Sequence, residues 1–138
     1  MPQDVWLKYE DPTQPRTLVF NDLHCCSLEQ FIHDHPEVSG IMAWNDACAH
    51  HVWYQLEQCG LRVPDDISLI GFDDTEPIAD HDGKNLLTSV RLPLCEVGRQ
   101  AAQLMLDQLT QEDPKPEELL LPTELVIRHS TAPHTHAT

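Results

Sequence analysis

The sequence predicts an α/β fold built on a parallel sheet, and three observations carry that prediction. Gly40-Ile41-Met42-Ala43-Trp44 is an apolar run without a polar interruption, as expected of a strand covered on both faces. Ala49, Val52, Trp53, Leu56 and Cys59 then fall at i, i+3, i+4, i+7 and i+10, the spacing of one helical face. Ile67-Ser68-Leu69-Ile70-Gly71-Phe72 returns as another apolar run, closed by Asp73-Asp74. Strand, helix and strand with short links make a βαβ unit, and such a crossover leaves the two strands parallel.

The other elements follow in chain order. Thr17-Leu18-Val19-Phe20 reads as a strand that ends at the turn Asn21-Asp22. Ser27 to His33 is a short helix, with Ser27 as its cap, Leu28, Phe31 and Ile32 at helical spacing, and Pro36 closing it. In the central helix Asp46 can act as the cap, Gly60 stands where a left-handed residue is wanted, and Pro64 follows. Thr75 to Asn85 is polar and turn-like, and Leu86 to Arg91 is a further strand. Leu94 to Leu109 is a second long helix with Pro93 near its first turn. Val97, Ala101, Leu104 and Gln108 mark one of its faces, and Gly98, Ala102, Met105 and Leu109 another, so it expects neighbours on more than one side. Thr110 to Glu118 is an acidic loop, Leu119 to Leu121 and Leu125 to Ile127 are extended, and Ser130 to Thr138 reads as a loose tail.

Composition narrows the function. The chain has 138 residues, 8 Lys+Arg against 23 Asp+Glu and a net charge of −15, which allows one domain or a large part of one. Scattered cations in an acidic chain exclude a dedicated nucleic-acid surface, which needs clustered Lys and Arg to displace counterions. No apolar run is long enough to span a membrane, and Met1 to Glu10 carries no secretory pattern. Five cysteines without a C-x-x-C pair (Cys25, Cys26, Cys48, Cys59 and Cys95) fit reduced thiols of the cytoplasm.

In open parallel sheets ligands bind beyond the carboxyl ends of the strands, and two polar pairs stand there, Asn45-Asp46 and Asp73-Asp74. Asn donates and accepts while an ionised Asp only accepts, a combination suited to a ligand rich in hydroxyl groups. Asp46 and Asp74 are more simply read as a helix cap and a turn closer, whereas Asn45 and Asp73 are placed to bind ligand.

At this point the motifs carry a resemblance. Trp44-Asn45-Asp46-Ala47-Cys48-Ala49 and Gly60-Leu61-Arg62-Val63-Pro64-Asp65-Asp66-Ile67-Ser68-Leu69-Ile70-Gly71-Phe72-Asp73-Asp74 are similar to the effector-binding domain of the LacI/GalR family of bacterial transcription regulators. Leu87-Thr88-Ser89-Val90, Glu96-Val97-Gly98-Arg99-Gln100-Ala101 and Pro122-Thr123-Glu124-Leu125-Val126-Ile127-Arg128-His129-Ser130-Thr131 continue the pattern in the family's order. The resemblance implies a periplasmic-binding-protein-like, three-layer α/β sandwich of two lobes with a carbohydrate-like effector between them. It implies effector contacts from Asn45 and Asp73, an aromatic ring near Phe20 to Leu23, and a homodimer whose interface includes His50, Tyr54 and His81. It further implies that residues 1–131 are a partial effector-binding and dimerisation domain, mainly the C-terminal lobe. Residues 87–110 would cross to the N-terminal lobe and residues 132–138 would form a flexible tail. The family's DNA-reading headpiece and most of its first lobe have no counterpart in the sequence, so operator DNA would be reached only through a headpiece outside this chain. The helix Leu94 to Leu109 would then lack its usual cover.

Two other functions share some of these features. A solute-binding protein of a sugar transport system has the same fold, but the absent leader and the thiol pattern disfavour it. An enzyme could gather Asp46, Asp73 and Asp74 around Mg²⁺ for phosphoryl transfer, but no nucleophile, base or phosphate loop accompanies them. Metal binding by His24-Cys25-Cys26, His33-x-His35, His50-His51 or His134-x-His136 is also disfavoured, because none has the paired spacing of a structural zinc site. No catalytic residue, metal or cofactor is expected, and the effector-sensing reading ranks first.

Overall fold

Consecutive strands of this chain lie side by side in one sheet whose order is the order of the sequence. The computed structural model describes residues 5–7, 16–20, 28–111, 115–116 and 118–133. The strands among them are β1 (Val5–Leu7), β2 (Arg16–Phe20), β3 (Val38–Ala43), β4 (Ser68–Asp73), β5 (Thr88–Arg91) and β6 (Glu124–Val126). The helices are α1 (Leu28–Asp34), α2 (Asp46–Gln58) and α3 (Leu94–Leu109). Strands β2 to β5 run parallel, and β1 and β6 close the two edges antiparallel.

The βαβ unit is built as the spacing requires. Ile41 and Ala43 of β3 point into the core with Ala49, Val52 and Leu56 of α2 and Leu69 of β4, all buried in one cluster with Leu28 of α1. Burying a side chain of this size contributes about 1.5–3 kcal/mol, so this cluster holds α1 and α2 to the sheet. The end of α2 is set by Gly60 at φ 75°: its amide donates to Glu57 O at 3.0 Å and that of Leu61 to Leu56 O at 2.9 Å. That pair of bonds is a Schellman motif, and the left-handed residue it requires is the glycine the sequence supplies.

Several expectations are corrected. Asn45, not Asp46, caps α2: its Oδ1 accepts from Cys48 N at 2.8 Å. Leu119 to Leu121 form no strand, and the last strand is confined to Glu124–Val126. Ser130 does not begin a loose tail. It is fully buried, its hydroxyl accepts from Thr88 N at 2.7 Å and donates to Leu69 O at 2.6 Å, and its carbonyl accepts from Leu69 N at 2.8 Å. The segment after β6 thus acts as a strap across the amino ends of β4 and β5. Ser27, Cys25, Cys26 and the tail histidines His134 and His136 lie outside the described residues.

Helix α3 has the predicted boundaries but a different environment from α2. None of its residues is buried. Val97, Ala101 and Leu104 instead form one wall of a shallow apolar groove whose other wall is Leu119 and Leu121.

Candidate functional site at the carboxyl ends of β3, β4 and β5

The site follows from strand register. Met42 pairs with Ile70 across β3 and β4, and continuing that register brings Asn45 level with Asp73, which itself pairs with Arg91 of β5. Both predicted ligand residues therefore reach the same edge of the parallel sheet, where an α/β fold leaves its crevice. Asn45 has an extended backbone (φ −152°) and spends its side-chain oxygen on the α2 cap, which turns the remaining amide donor to other uses. Asp73 is half-buried at φ 96°, and its carboxylate has no hydrogen-bond partner among the described residues. A donor and an acceptor are thus available at neighbouring strand ends. The aromatic ring expected near Phe20 to Leu23 falls on side chains outside the described residues.

The two adjacent acids are committed elsewhere. Asp74, also left-handed at φ 55°, sits between two guanidinium groups. Arg128 Nη1 lies 2.7 Å from its Oδ1, Arg91 Nε donates to its Oδ2 at 2.7 Å, and the carboxylate is only 5% exposed. Hydrogen bonding from Arg128, then from Arg91, holds its carboxyl below the usual carboxylate range against the opposing effect of burial. Arg128 is itself fixed by donating to Leu87 O at 2.6 Å. Asp46 is 1% exposed; its Oδ1 accepts from Ser89 Oγ at 2.6 Å, and its Oδ2 from the amides of Thr75 at 2.8 Å and Glu76 at 3.2 Å. Asp46 therefore anchors the turn after β4 rather than capping its own helix.

Two of the three carboxylates of the Mg²⁺ reading, Asp46 and Asp74, are thus taken up by separate partners within the fold. Among the described residues no group of three or more His, Cys, Asp or Glu side chains is placed to hold a metal ion. The residues that sequence reasoning left without a role are Arg91, Arg128, Ser89 and Gly71. Arg128, Ser89 and Gly71 belong to quoted motifs, but the residues they meet lie far away in sequence.

On the other side of α2, His50, Trp53, Tyr54 and Glu57 face Ile78, Ala79 and Leu86 of the β4–β5 connection across a shallow groove. Tyr54 is 60% exposed and His50 is exposed. His81 is exposed on the same connection but does not line the groove.

A mixed sheet whose four parallel strands run side by side, with helices packed on it and Asn45 and Asp73 at neighbouring carboxyl ends, defines an α/β lobe. The chain belongs to the periplasmic binding protein-like domain family, whose model matches residues 3–131. It is 31% identical over 109 residues to the HTH-type transcriptional regulator CelR of Thermobifida fusca, covering 79% of this chain and 32% of that protein. Among solved structures it resembles a complex of the transcriptional regulator CelR with cellobiose, with a TM-score of 0.64 at 33% identity, covering 73% of this chain and 30% of the other. A LacI family transcriptional regulator from Enterococcus faecalis with bound ribose matches at a TM-score of 0.64 and 31% identity, over 78% of this chain and 40% of the other. The LacI-type resemblance carried by the sequence motifs is thereby borne out, and the chain spans about a third of the length of that curated relative.

Proposed function

We propose that this chain is the effector-sensing and dimerising part of a LacI-type bacterial transcription regulator, acting in the cytoplasm and without enzymatic activity. The observation that carries the reading is that the β3–β4 register, continued past Met42 and Ile70, sets Asn45 level with Asp73, with one amide donor and one carboxylate left for ligand. Cellobiose and ribose, bound by the two similar regulators, are both polyols of the kind this pair suits, so a carbohydrate is the proposed effector. Residues 1–131 form the partial sensing domain, mainly its C-terminal lobe; of residues 87–110, β5 stays in this sheet and the part after it reaches a second lobe, and residues 132–138 form the tail. The effector would shift an equilibrium between lobe arrangements by binding one of them better, and operator DNA would be contacted by a separate headpiece. The groove between α2 and the β4–β5 connection, with His50 and Tyr54 beside it and His81 nearby, is the proposed homodimer face.

The test is calorimetric titration with cellobiose and with ribose, in a protein that carries this segment together with its second lobe. Asp73→Ala should weaken binding by about 10- to 100-fold, the equivalent of one charge-assisted hydrogen bond of about 1.5–3 kcal/mol. Unchanged affinity with an intact fold would remove Asp73 from the site. Lost thermal stability with unchanged affinity would make it a turn residue only.

A further inference from the structure

We propose that Asp46 is a positioning residue that locks the effector-facing turn after β4 and the groove on α2 into a single unit. The inference rests on the effector reading of Asn45 and Asp73 and adds a residue that reads most simply from sequence as a cap. Asp73 at φ 96° and Asp74 at φ 55° are consecutive non-glycine residues in the left-handed region. Such a pair persists only where the surroundings over-determine it. Arg128 and Arg91 hold the Asp74 side chain, and Asp46 and Ser89 hold the backbone that follows. The amides of Thr75 and Glu76 donate to one oxygen of Asp46, Ser89 Oγ donates to the other, and the same hydroxyl accepts from Asp74 N at 3.2 Å. Three successive amides of the turn thus end on this one buried pair, and hydrogen bonds to a carboxylate in a dry site are the strong kind.

Gly71 makes the arrangement possible. A Cβ at that position would overlap Asp46 Oδ1 and crowd Leu87 Cδ2, so only glycine leaves room for the carboxylate between β4 and β5. Asp46 also stands directly after Asn45, and the connection it holds runs on from Glu76 to Ile78 and Ala79 on the groove. Helix α2 therefore meets the same connection twice, through Asp46 in its first turn and through His50, Trp53 and Tyr54 further along. Asp74 alone separates Asp73 from the Thr75 amide that Asp46 of α2 holds.

Residue-resolved amide hydrogen exchange of the full chain tests this without any sugar, so its failure is distinguishable from failure of the effector reading, which the Asp73→Ala titration addresses. Asp46→Ala should speed exchange at Thr75 and Glu76 by about 10- to 100-fold while leaving the Leu69 amide, bonded to Ser130 O, within about threefold. Asp46→Asn retains an acceptor for the two amides and a donor for Ser89, and should restore most of the protection. Should Asp46→Ala not fold, Ser89→Ala is measured in the same way, with the selective change expected at Asp74. Unaltered exchange at Thr75 and Glu76, or a uniform rise across the sheet without rescue by Asp46→Asn, would overturn the proposal.

Discussion

Asp73 and Asp74 are neighbours with opposite fates, and hydrogen-bond partners decide which is which. Asp74 meets Arg128 and Arg91 and is consumed by the fold, whereas the carboxylate of Asp73 stays available. Because pairing lowers the folded pKa of Asp74, its contribution to stability is complete above the unfolded carboxylate range, about pH 4, and fades as pH falls through the lower folded value. Arg128→Ala leaves a nearly buried carboxylate with Arg91 alone, and should cost about 2–4 kcal/mol in urea unfolding at neutral pH. The deficit should shrink below pH 4, as Asp74 becomes neutral in the variant. A loss that stays constant down to pH 2 would assign the effect to the bond from Arg128 to Leu87 O instead.

At the scale of the element, α2 and α3 show how differently two amphipathic helices can be used. The apolar face of α2 is buried between sheet and α1, while α3 leaves Met105 at 66% and Leu109 at 77% exposure. Each apolar side chain of that size forfeits about 1.5–3 kcal/mol by staying in water, so the face gains by being covered. A second copy of the chain is the cover expected for the segment in isolation, with α3 seated in the groove beside Leu119 and Leu121 or exchanged between copies. Sedimentation equilibrium should therefore show self-association at micromolar concentration that Val97→Glu combined with Met105→Glu weakens. A wild-type monomer with a protected α3 would contradict this.

For the whole molecule, charge sets the expectation. With a net charge of −15 and its 8 cations partly consumed by ion pairs such as Arg62 with Asp65 and Asp66, the isolated segment should repel phosphate rather than bind it. A gel-shift titration in ordinary salt with competitor DNA should show no specific complex. A shifted band that survives both would place a DNA-reading element within these residues.

The sequence by itself determined the βαβ unit, the boundaries of α3 and the glycine stop of α2, because periodicity and turn chemistry act over a few residues. It also placed Asn45 and Asp73 at the sheet edge, since residues that follow apolar strands in a parallel sheet share one end. Only the tertiary structure decided between Asn45 and Asp46 as the cap. Both are good capping types, and the choice falls to Asn45 because Ser89, 43 residues away, and the amides of Thr75 and Glu76 take the Asp46 carboxylate. The same holds for Ser130, whose place in a polar tail sequence conceals a buried hydroxyl joining Thr88 to Leu69. These partners are brought together by strand order, and no local pattern encodes which strands will be neighbours.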